Sequence, residues 1–511
     1  MSSSVTHIVM VQGTGSHAGK SVLAAALCRI YARRGLCVAP FKAQNMALNS
    51  FVTPEGAEMG RAQVYQAVAA GIEPHVDMNP VLLKPSSATG SQVVVMGRPV
   101  GHMTVAEYHA YQPEVWPLVV AALDRLRAAH DLVVIEGAGS PAEINLRGQD
   151  IVNMKVATQA RSPVLLVGDI DRGGLFASLV GHVELFEPDE RALVKGFVIN
   201  KFRGDAALLD HGIRFLEERT GVPTLGVVPF LSDWRGDEED SLAIDERRHG
   251  RPGAPLRVAV VRLPYIANYT DFDALADEAD VDVCFVTSSD ELEGASAVIL
   301  PGTKSTVADL RWLRERGLAE AIARAASAGT PVVGVCGGYQ MLGRRILDPG
   351  RVESDEPEVR GLGLLDVETS FVGDKRTVRV TGVTSGAALA PADTAVRGYE
   401  IHMGRTVVSP GVRSLLRLTE AAGAGDREAT ASATHDDGAV SADGGVCGTH
   451  LHGLFDAPAL RAALLNRLRT AAGLPERPPA AAGSDIERLA DHVETHLDMT
   501  RLDRIIGLAD A

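Results

Sequence analysis

Short apolar, β-branched runs alternate with longer stretches of helical periodicity through most of the chain. Residues 7–12 read as a strand, 20–34 as a helix and 36–41 as a strand. Further strands are predicted at 132–135, 164–167, 194–199 and 224–228, with helical patterns between most of them. Strands that are apolar throughout, rather than alternating, imply a parallel sheet covered on both faces. Residues 231–255 break this pattern with the acidic run Asp237-Glu-Glu-Asp240 and the stretch Arg247-Arg-His-Gly-Arg-Pro-Gly-Ala-Pro255. Charge, Gly and Pro without periodicity predict a linker or surface loop. A second α/β series follows, with strands at 257–262, 281–286, 297–300 and 331–335 and a helix over 306–327. From about 360 to 450 the Gly, Thr and Val content suggests an antiparallel portion, and residues 457–471 look helical. A Pro/Ala-rich joint at 475–483 precedes a last amphipathic helix near 486–506. The expected division is therefore 1–230, a linker over 231–255, 256–472, and a tail over 473–511.

Composition narrows the class. The chain has 511 residues, 46% of them hydrophobic and 23% charged, as expected for folded domains with sizeable cores. No apolar run approaches the ~20 residues that span a bilayer. The N-terminus lacks the basic and apolar regions of a signal peptide. The net charge of −15 argues against nucleic acid or an anionic membrane as partner. The five cysteines, Cys28, Cys37, Cys284, Cys336 and Cys447, are widely spaced. No pair has zinc-site spacing, and a disulfide framework is not expected. A reducing cytoplasm fits best. Cys28, Cys37 and Cys284 lie in apolar stretches and are expected in the core.

Two segments carry candidate chemistry. Gly13-Thr-Gly-Ser-His-Ala-Gly-Lys-Ser21 follows a strand and opens a helix. Backbone N–H groups from Gly13, Thr14 and Gly19 and the helix N-terminus would hold phosphate oxygens. Lys20 would reach the β- and γ-phosphates, and the Ser21 hydroxyl would sit on Mg²⁺. Glu136 ends the apolar strand 132–135, where a parallel sheet binds ligands. It is a candidate Mg²⁺ ligand or organiser of its water shell. Lys42 ends the strand 36–41 and could neutralise a transferring phosphoryl group. Asn200, at another strand end, could read adenine through its amide.

The second segment is Val332-Val-Gly-Val-Cys336-Gly-Gly-Tyr-Gln-Met-Leu. Strand, cysteine, two glycines and helix have the shape of a nucleophile elbow. A helix N-terminus favours a thiolate there. Gly302, in the turn after strand 297–300, and Gly337 could supply oxyanion-hole N–H groups. The partner base should be a distant histidine. Gly448-Thr-His450-Leu-His452-Gly453 offers two, and in an extended segment both would project to the same face.

The two segments together resemble class I glutamine amidotransferases fused to a dethiobiotin-synthetase-like ATPase, a combination found in the cobyric acid synthase family of cobalamin biosynthesis. The first loop has five residues between Gly13 and Gly19, like dethiobiotin synthetases and unlike the standard four. The resemblance runs from about residue 7 to 465. It rests on Gln12–Ser21, Pro40-Phe-Lys-Ala-Gln-Asn-Met-Ala-Leu-Asn-Ser50, Met78-Asn-Pro-Val-Leu-Leu-Lys-Pro85, Glu136-Gly-Ala-Gly-Ser-Pro-Ala-Glu-Ile-Asn-Leu146, Gly168-Asp-Ile-Asp-Arg-Gly-Gly174, Pro301-Gly-Thr-Lys-Ser-Thr306, Gly334–Gln340 and Gly398-Tyr-Glu-Ile-His-Met-Gly404. It implies an α/β fold with an N-terminal P-loop domain of parallel sheet and a C-terminal glutamine amidotransferase domain. It also implies ATP- and glutamine-dependent amidation of the b, d, e and g carboxylates of adenosylcobyrinic acid a,c-diamide through acyl phosphates, with ATP and Mg²⁺ as cofactors. Partners are then small molecules, namely a corrinoid polycarboxylate, glutamine and ATP; homo-oligomerisation is left open. The nearest rival is the cobyrinic acid a,c-diamide synthase family, and a P-loop regulatory ATPase is more distant.

In the family pattern the catalytic histidine directly precedes a glycine. This favours His452 over His450 as the partner of Cys336 and leaves His450 a structural role. General class I amidotransferases carry a glutamate two residues after that histidine, where this chain has Leu454. A Cys336–His452 dyad with weaker imidazolium stabilisation is therefore expected. Arg98, Arg147, Lys155, Arg172 and Arg203 are cations that a polycarboxylate could meet.

Overall fold

The computed structural model describes residues 6–86, 90–231, 251, 253–371, 375–421, 433–479 and 485–508. Most of the expected linker, 232–250 and 252, lies outside the described residues. The chain divides into two compact units. One comprises residues 1–47, 58–239 and 483–511, and the other residues 48–57 and 240–482.

The first unit is built on a six-stranded parallel sheet. Its strand order is Thr224–Pro229, Val194–Phe202, Val164–Asp169, His7–Gly13, Leu132–Glu136, Val38–Phe41. The central strands are buried along nearly their whole length, so helices must cover both faces. The helix Lys20–Arg33 buries Leu23, Leu27, Ile30 and a run of three alanines. A smaller sheet, Gln44–Met46, Val81–Pro85, Gly90–Val95 and Arg98–Thr104, lies in the same unit. It leads into the helix Val105–Ala129, whose start is closed by a Thr104/Glu107 capping box.

The last described residues return to this unit. The predicted single helix over 486–506 is two, Asp485–His496 and Met499–Ile506. Asp498 causes the break. Its N–H donates to Leu225 O at 2.7 Å, and its carboxylate accepts the Arg501 N–H at 2.9 Å as N-cap of the second helix. An N-cap residue leaves the helical conformation. Leu489, Val493, Leu502 and Ile506 join the core that holds Leu27 and Tyr31. The amphipathic tail thus covers the outer side of the helix that follows the glycine-rich loop.

The second unit has five parallel strands in the order Val281–Val286, Leu256–Val261, Ala297–Leu300, Val332–Val335, Val446–Thr449, with Ala439–Val440 antiparallel at the edge. The helix expected over 306–327 is also two, Thr306–Glu315 and Leu318–Ser327. Gly317, at φ +67°, separates them, a backbone that glycine adopts without strain. The expected antiparallel portion is a five-stranded sheet of Thr434–Asp437, Leu416–Glu420, Arg376–Thr384, Ala395–His402 and Leu451–His452, beside a mixed four-stranded one. Cys37 departs from its expected place in the core. It is exposed, because it sits just before the Val38–Phe41 strand begins. Among the described residues no helix is long and apolar enough to cross a membrane.

Candidate active sites

In the first unit the glycine-rich loop leaves the carboxyl end of the His7–Gly13 strand, which is paired on both sides by parallel neighbours. Gly19 caps the following helix at φ +97°. A Cβ there would lie 2.0 Å from Asn200 Nδ2, so both its conformation and its neighbour require glycine. That Asn200 amide donates to Ala18 O at 3.0 Å. The residue expected to read a base therefore braces the phosphate loop. Lys20 Nζ donates to Gly15 O at 2.8 Å and to Gly139 O at 3.1 Å, which curls its side chain over the loop. The Thr14 N–H, expected to meet phosphate, instead pairs with Val167 O at 2.9 Å, because the strand pairing carries on through it. A Cβ on Gly13 would meet Lys20 Cγ at 2.9 Å.

Glu136 is fully buried and engaged at both oxygens. Oε1 accepts from Ser21 Oγ at 2.7 Å and Lys42 Nζ at 3.0 Å. Oε2 accepts from Gln66 Nε2 at 2.5 Å and Gln63 Nε2 at 3.3 Å. Burial works to raise its pKa, but Lys42, Ser21 and Gln66 outweigh it and hold the carboxyl below the usual carboxylate range. Lys42 thus neutralises Glu136 directly. The donor set fits Mg²⁺ through Ser21. With its O–H donating to Glu136, the Ser21 oxygen keeps its lone pairs for a cation, and Glu136 fixes their direction. Gln63 and Gln66 belong to no motif that marks them in the sequence. Their signal is two amides three residues apart, hence on one face, in an Ala/Val-rich helix. Of the candidate polycarboxylate cations, Arg147 pairs with Glu190, Arg172 with Asp169, and Arg203 with Asp171. Lys155 lies over the Trp116 ring.

In the second unit Cys336 stands between the Val332–Val335 strand and the helix Gly337–Leu342. Its φ of 50° and ψ of −110° are strained for a residue with a Cβ. The bond from its N–H to Thr449 O at 2.8 Å helps hold it there. A Cβ on Gly338 would lie 2.0 Å from Leu300 O, so glycine is required for the helix to start this close to the neighbouring strand. Gly302 lies beside both Cys336 and His452. A Cβ on it would be 3.0 Å from His452 Cε1 and 3.7 Å from Cys336 Cβ. A Cβ on Gly337 would be 3.1 Å from Thr303 N, which brings the two expected oxyanion turns together.

His452 has a carboxylate partner. Its Nδ1 is 2.7 Å from Asp271 Oδ2, and Gly453 N–H donates to Asp271 Oδ1 at 3.0 Å. The structure thus sets a carboxylate beside the histidine of the expected dyad, supplied from another loop rather than from the position of Leu454. Burial alone would lower the His452 pKa; Asp271 and Cys336 outweigh it and push it up to about 10. Tyr399 stacks on the ring at 5.3 Å. Asp271 lies in the turn Tyr269–Phe272, entered through Asn268 at φ 53°. Residues 49 and 50, which belong to this unit, pin that entry: Ser50 N–H donates to Asn268 Oδ1 at 2.9 Å and Tyr269 N–H to Asn49 Oδ1 at 3.0 Å.

His450 does not share this environment. The chain leaves the parallel sheet at Thr449 and joins the antiparallel sheet at Leu451, so strand alternation does not keep the two histidines together. His450 Nδ1 bonds Asp437 at 3.0 Å, Nε2 bonds Thr406 at 3.2 Å, and the ring stacks on His402 at 4.1 Å. Glu400, nearby, is held by Arg376 at 2.7 Å and His435 at 3.3 Å.

Residues 257–460 match the model of the CobB/CobQ-like glutamine amidotransferase domain, and residues 9–242 that of the CobQ/CobB/MinD/ParA nucleotide binding domain. Three curated relatives, each called cobyric acid synthase, are similar over nearly the full length. The protein from Desulforudis audaxviator is 52% identical, over 98% of this chain and 99% of its own. That from Sorangium cellulosum is 53% identical, over 98% of each. That from Dehalococcoides mccartyi is 49% identical, over 98% and 99%.

Proposed function

The chain belongs to the cobyric acid synthase family, an ATP-dependent glutamine amidotransferase, and from that premise we propose that it amidates the b, d, e and g carboxylates of adenosylcobyrinic acid a,c-diamide through acyl phosphates. A carboxylate is a poor electrophile; phosphorylation gives it a good leaving group. Transfer of the phosphoryl group needs positioning and charge neutralisation. Lys20 and the loop N–H groups supply these, with Asn200 keeping the loop in shape. Mg²⁺, held through Ser21 and oriented by Glu136, would add charge neutralisation. Lys42 keeps Glu136 ionised, so that Ser21 donates to it.

Ammonia is largely protonated in neutral water, and ammonium is not a nucleophile, so ammonia is best released inside the protein. Cys336 attacks the glutamine carboxamide carbon. N–H groups of the Gly302 and Gly337 turns receive the oxyanion. His452, held cationic by Asp271, protonates the departing ammonia. Water then hydrolyses the glutamyl thioester. The observation that carries this reading is the Asp271–His452 pair set against the elbow of Cys336 across Gly302.

The test compares cobyrinic acid with its a,c-diamide as acceptors. Conversion of the diamide alone, abolished for both glutamine and ammonium by Lys20→Ala, is expected. Preference for cobyrinic acid would assign the chain to the a,c-diamide synthase reaction instead. A Lys20→Ala variant within about twofold of wild type would remove the loop from the reacting ATP site.

A further inference from the structure

The amide-forming step needs a proton acceptor that the residues assigned above do not provide. When ammonia adds to an acyl phosphate, its nitrogen must shed a proton before the product is a neutral amide. The first unit holds a hydroxyl–imidazole pair close to the phosphate loop. Ser140 Oγ lies 2.8 Å from His182 Nε2. His182 Nδ1 is 2.7 Å from Ser178 O. A carbonyl only accepts, so Nδ1 carries the ring hydrogen, and Nε2 offers a lone pair to the Ser140 hydroxyl. Ala142 N–H donates to Ser140 Oγ at 3.2 Å, which fixes the hydroxyl oxygen while its proton points to the ring. Ser140 directly follows Gly139, whose carbonyl accepts from Lys20 Nζ at 3.1 Å.

The surroundings suit a base. His182 is buried on the helix Leu175–Leu185, with Phe186 edge-on at 6.5 Å, while Ser140 is only half-buried. Ser140 is thus the more exposed residue of the pair. Burial holds His182 below its ordinary range, against the opposing effects of the Ser178 carbonyl and the Glu143 carboxylate. It is therefore neutral at neutral pH. Glu143, on the loop after Ser140, is the charged group that acts on it, and would stabilise the imidazolium formed on proton capture.

We propose that Ser140 takes the proton from the attacking nitrogen and passes its own to His182. The ammonia nitrogen forms a bond to the acyl carbon. The bond from that carbon to the phosphate oxygen breaks, and phosphate leaves with the electron pair. The nitrogen gives one proton to Ser140 Oγ while the Ser140 proton moves to His182 Nε2. His182 then returns it to solvent, and nothing is oxidised or reduced. In this scheme Ser140 is the catalytic residue and His182 acts through it.

This inference rests on the amidation proposed above, and the experiment separates the two. The full chain is supplied with adenosylcobyrinic acid a,c-diamide, ATP and saturating ammonium, without glutamine, and ADP and amide are measured together. Ser140→Ala and His182→Gln should form ADP within about threefold of wild type, the acyl phosphate that ammonia does not discharge going to water as carboxylate and phosphate. Amide per ADP should fall by at least about tenfold, within the usual range for losing a general base. The wild-type acid limb in amide formation should also be absent from His182→Gln. Hydroxylamine, whose adduct loses its proton more readily, should restore product as a hydroxamate. Coupled amidation at the wild-type level in Ser140→Ala would overturn the relay. So would equal loss of ADP and amide in both variants, which is what a structural role predicts. If wild type forms neither ADP nor amide, the proposed amidation itself fails.

Discussion

His452 Nδ1 and Asp271 Oδ2 are 2.7 Å apart although 181 residues separate them in the chain. The contact fixes the ring tautomer, because Nδ1 must carry the hydrogen facing the carboxylate. It leaves the other ring nitrogen free to bond Cys336. The second carboxylate oxygen is held by Gly453 N–H, so ring and carboxylate are locked at both ends.

Asp271→Asn keeps the shape and removes the charge. Glutaminase turnover should fall by about 10²–10⁴-fold, with ammonia-dependent synthesis unchanged. His452 is raised to about 10, so the imidazolium persists through neutral pH and is lost as pH rises through about 10. Without the Asp271 charge, the alkaline limb of glutaminase activity should move to lower pH. An unmoved limb in Asp271→Asn would show that Asp271 does not set the charge of His452.

Cys336→Ala should abolish glutamine-dependent synthesis and leave ammonia-dependent synthesis measurable. Steady-state rates with each nitrogen source decide this. Full glutamine-dependent turnover in the variant would remove Cys336 as the nucleophile.

The two histidines separate by their partners. His452→Ala should lose at least about a hundredfold of glutaminase activity and keep ammonia-dependent synthesis. His450→Ala removes bonds to Asp437 and Thr406 and should act mainly on stability. It leaves a buried carboxylate without one partner, for about 1–3 kcal/mol. If His450→Ala is the glutamine-dead variant instead, the assignment is reversed.

Lys42 and Glu136 are both almost wholly buried. Lys42→Met leaves the carboxylate with neutral donors only and should destabilise the protein by about 3–5 kcal/mol, with Glu136→Gln in the same chain recovering part of it. The Glu136 pKa is lowered. Its stabilisation is therefore present above the ordinary carboxylate range and is lost as pH falls through the depressed value. Denaturant midpoints measured between neutral and acid pH give both quantities. A neutral-pH midpoint unchanged in Lys42→Met would contradict the pairing.

What the sequence made legible was local. The elbow at Cys336 and the loop at 13–21 are contiguous patterns in which glycine positions, strand and helix all lie within a few residues. The parallel strands showed as unbroken apolar runs for the same reason. Asp271 was hidden because nothing in Asn268-Tyr-Thr-Asp-Phe-Asp273 distinguishes its carboxylate from that of Asp273. The left-handed turn at Asn268, which presents Asp271 to a strand far along the chain, has no periodic signature. The tail helices were recognisable as amphipathic, but an apolar stripe does not name the surface it covers. Residues 48–57, inside the N-terminal half, belong to the second unit for a similar reason. Asn49 and Ser50 bond to Asn268 and Tyr269, partners that appear only once the chain has folded.

In the proposed reaction glutamine supplies the amide nitrogen at four peripheral carboxylates of the corrinoid, b, d, e and g. Mass spectrometry of the product formed from adenosylcobyrinic acid a,c-diamide, ATP and glutamine labelled with ¹⁵N at the amide tests it most directly. The predicted result is a product with ¹⁵N amides at b, d, e and g, one ADP released for each. Recovery of unchanged diamide in the presence of active glutaminase and ATP would contradict it.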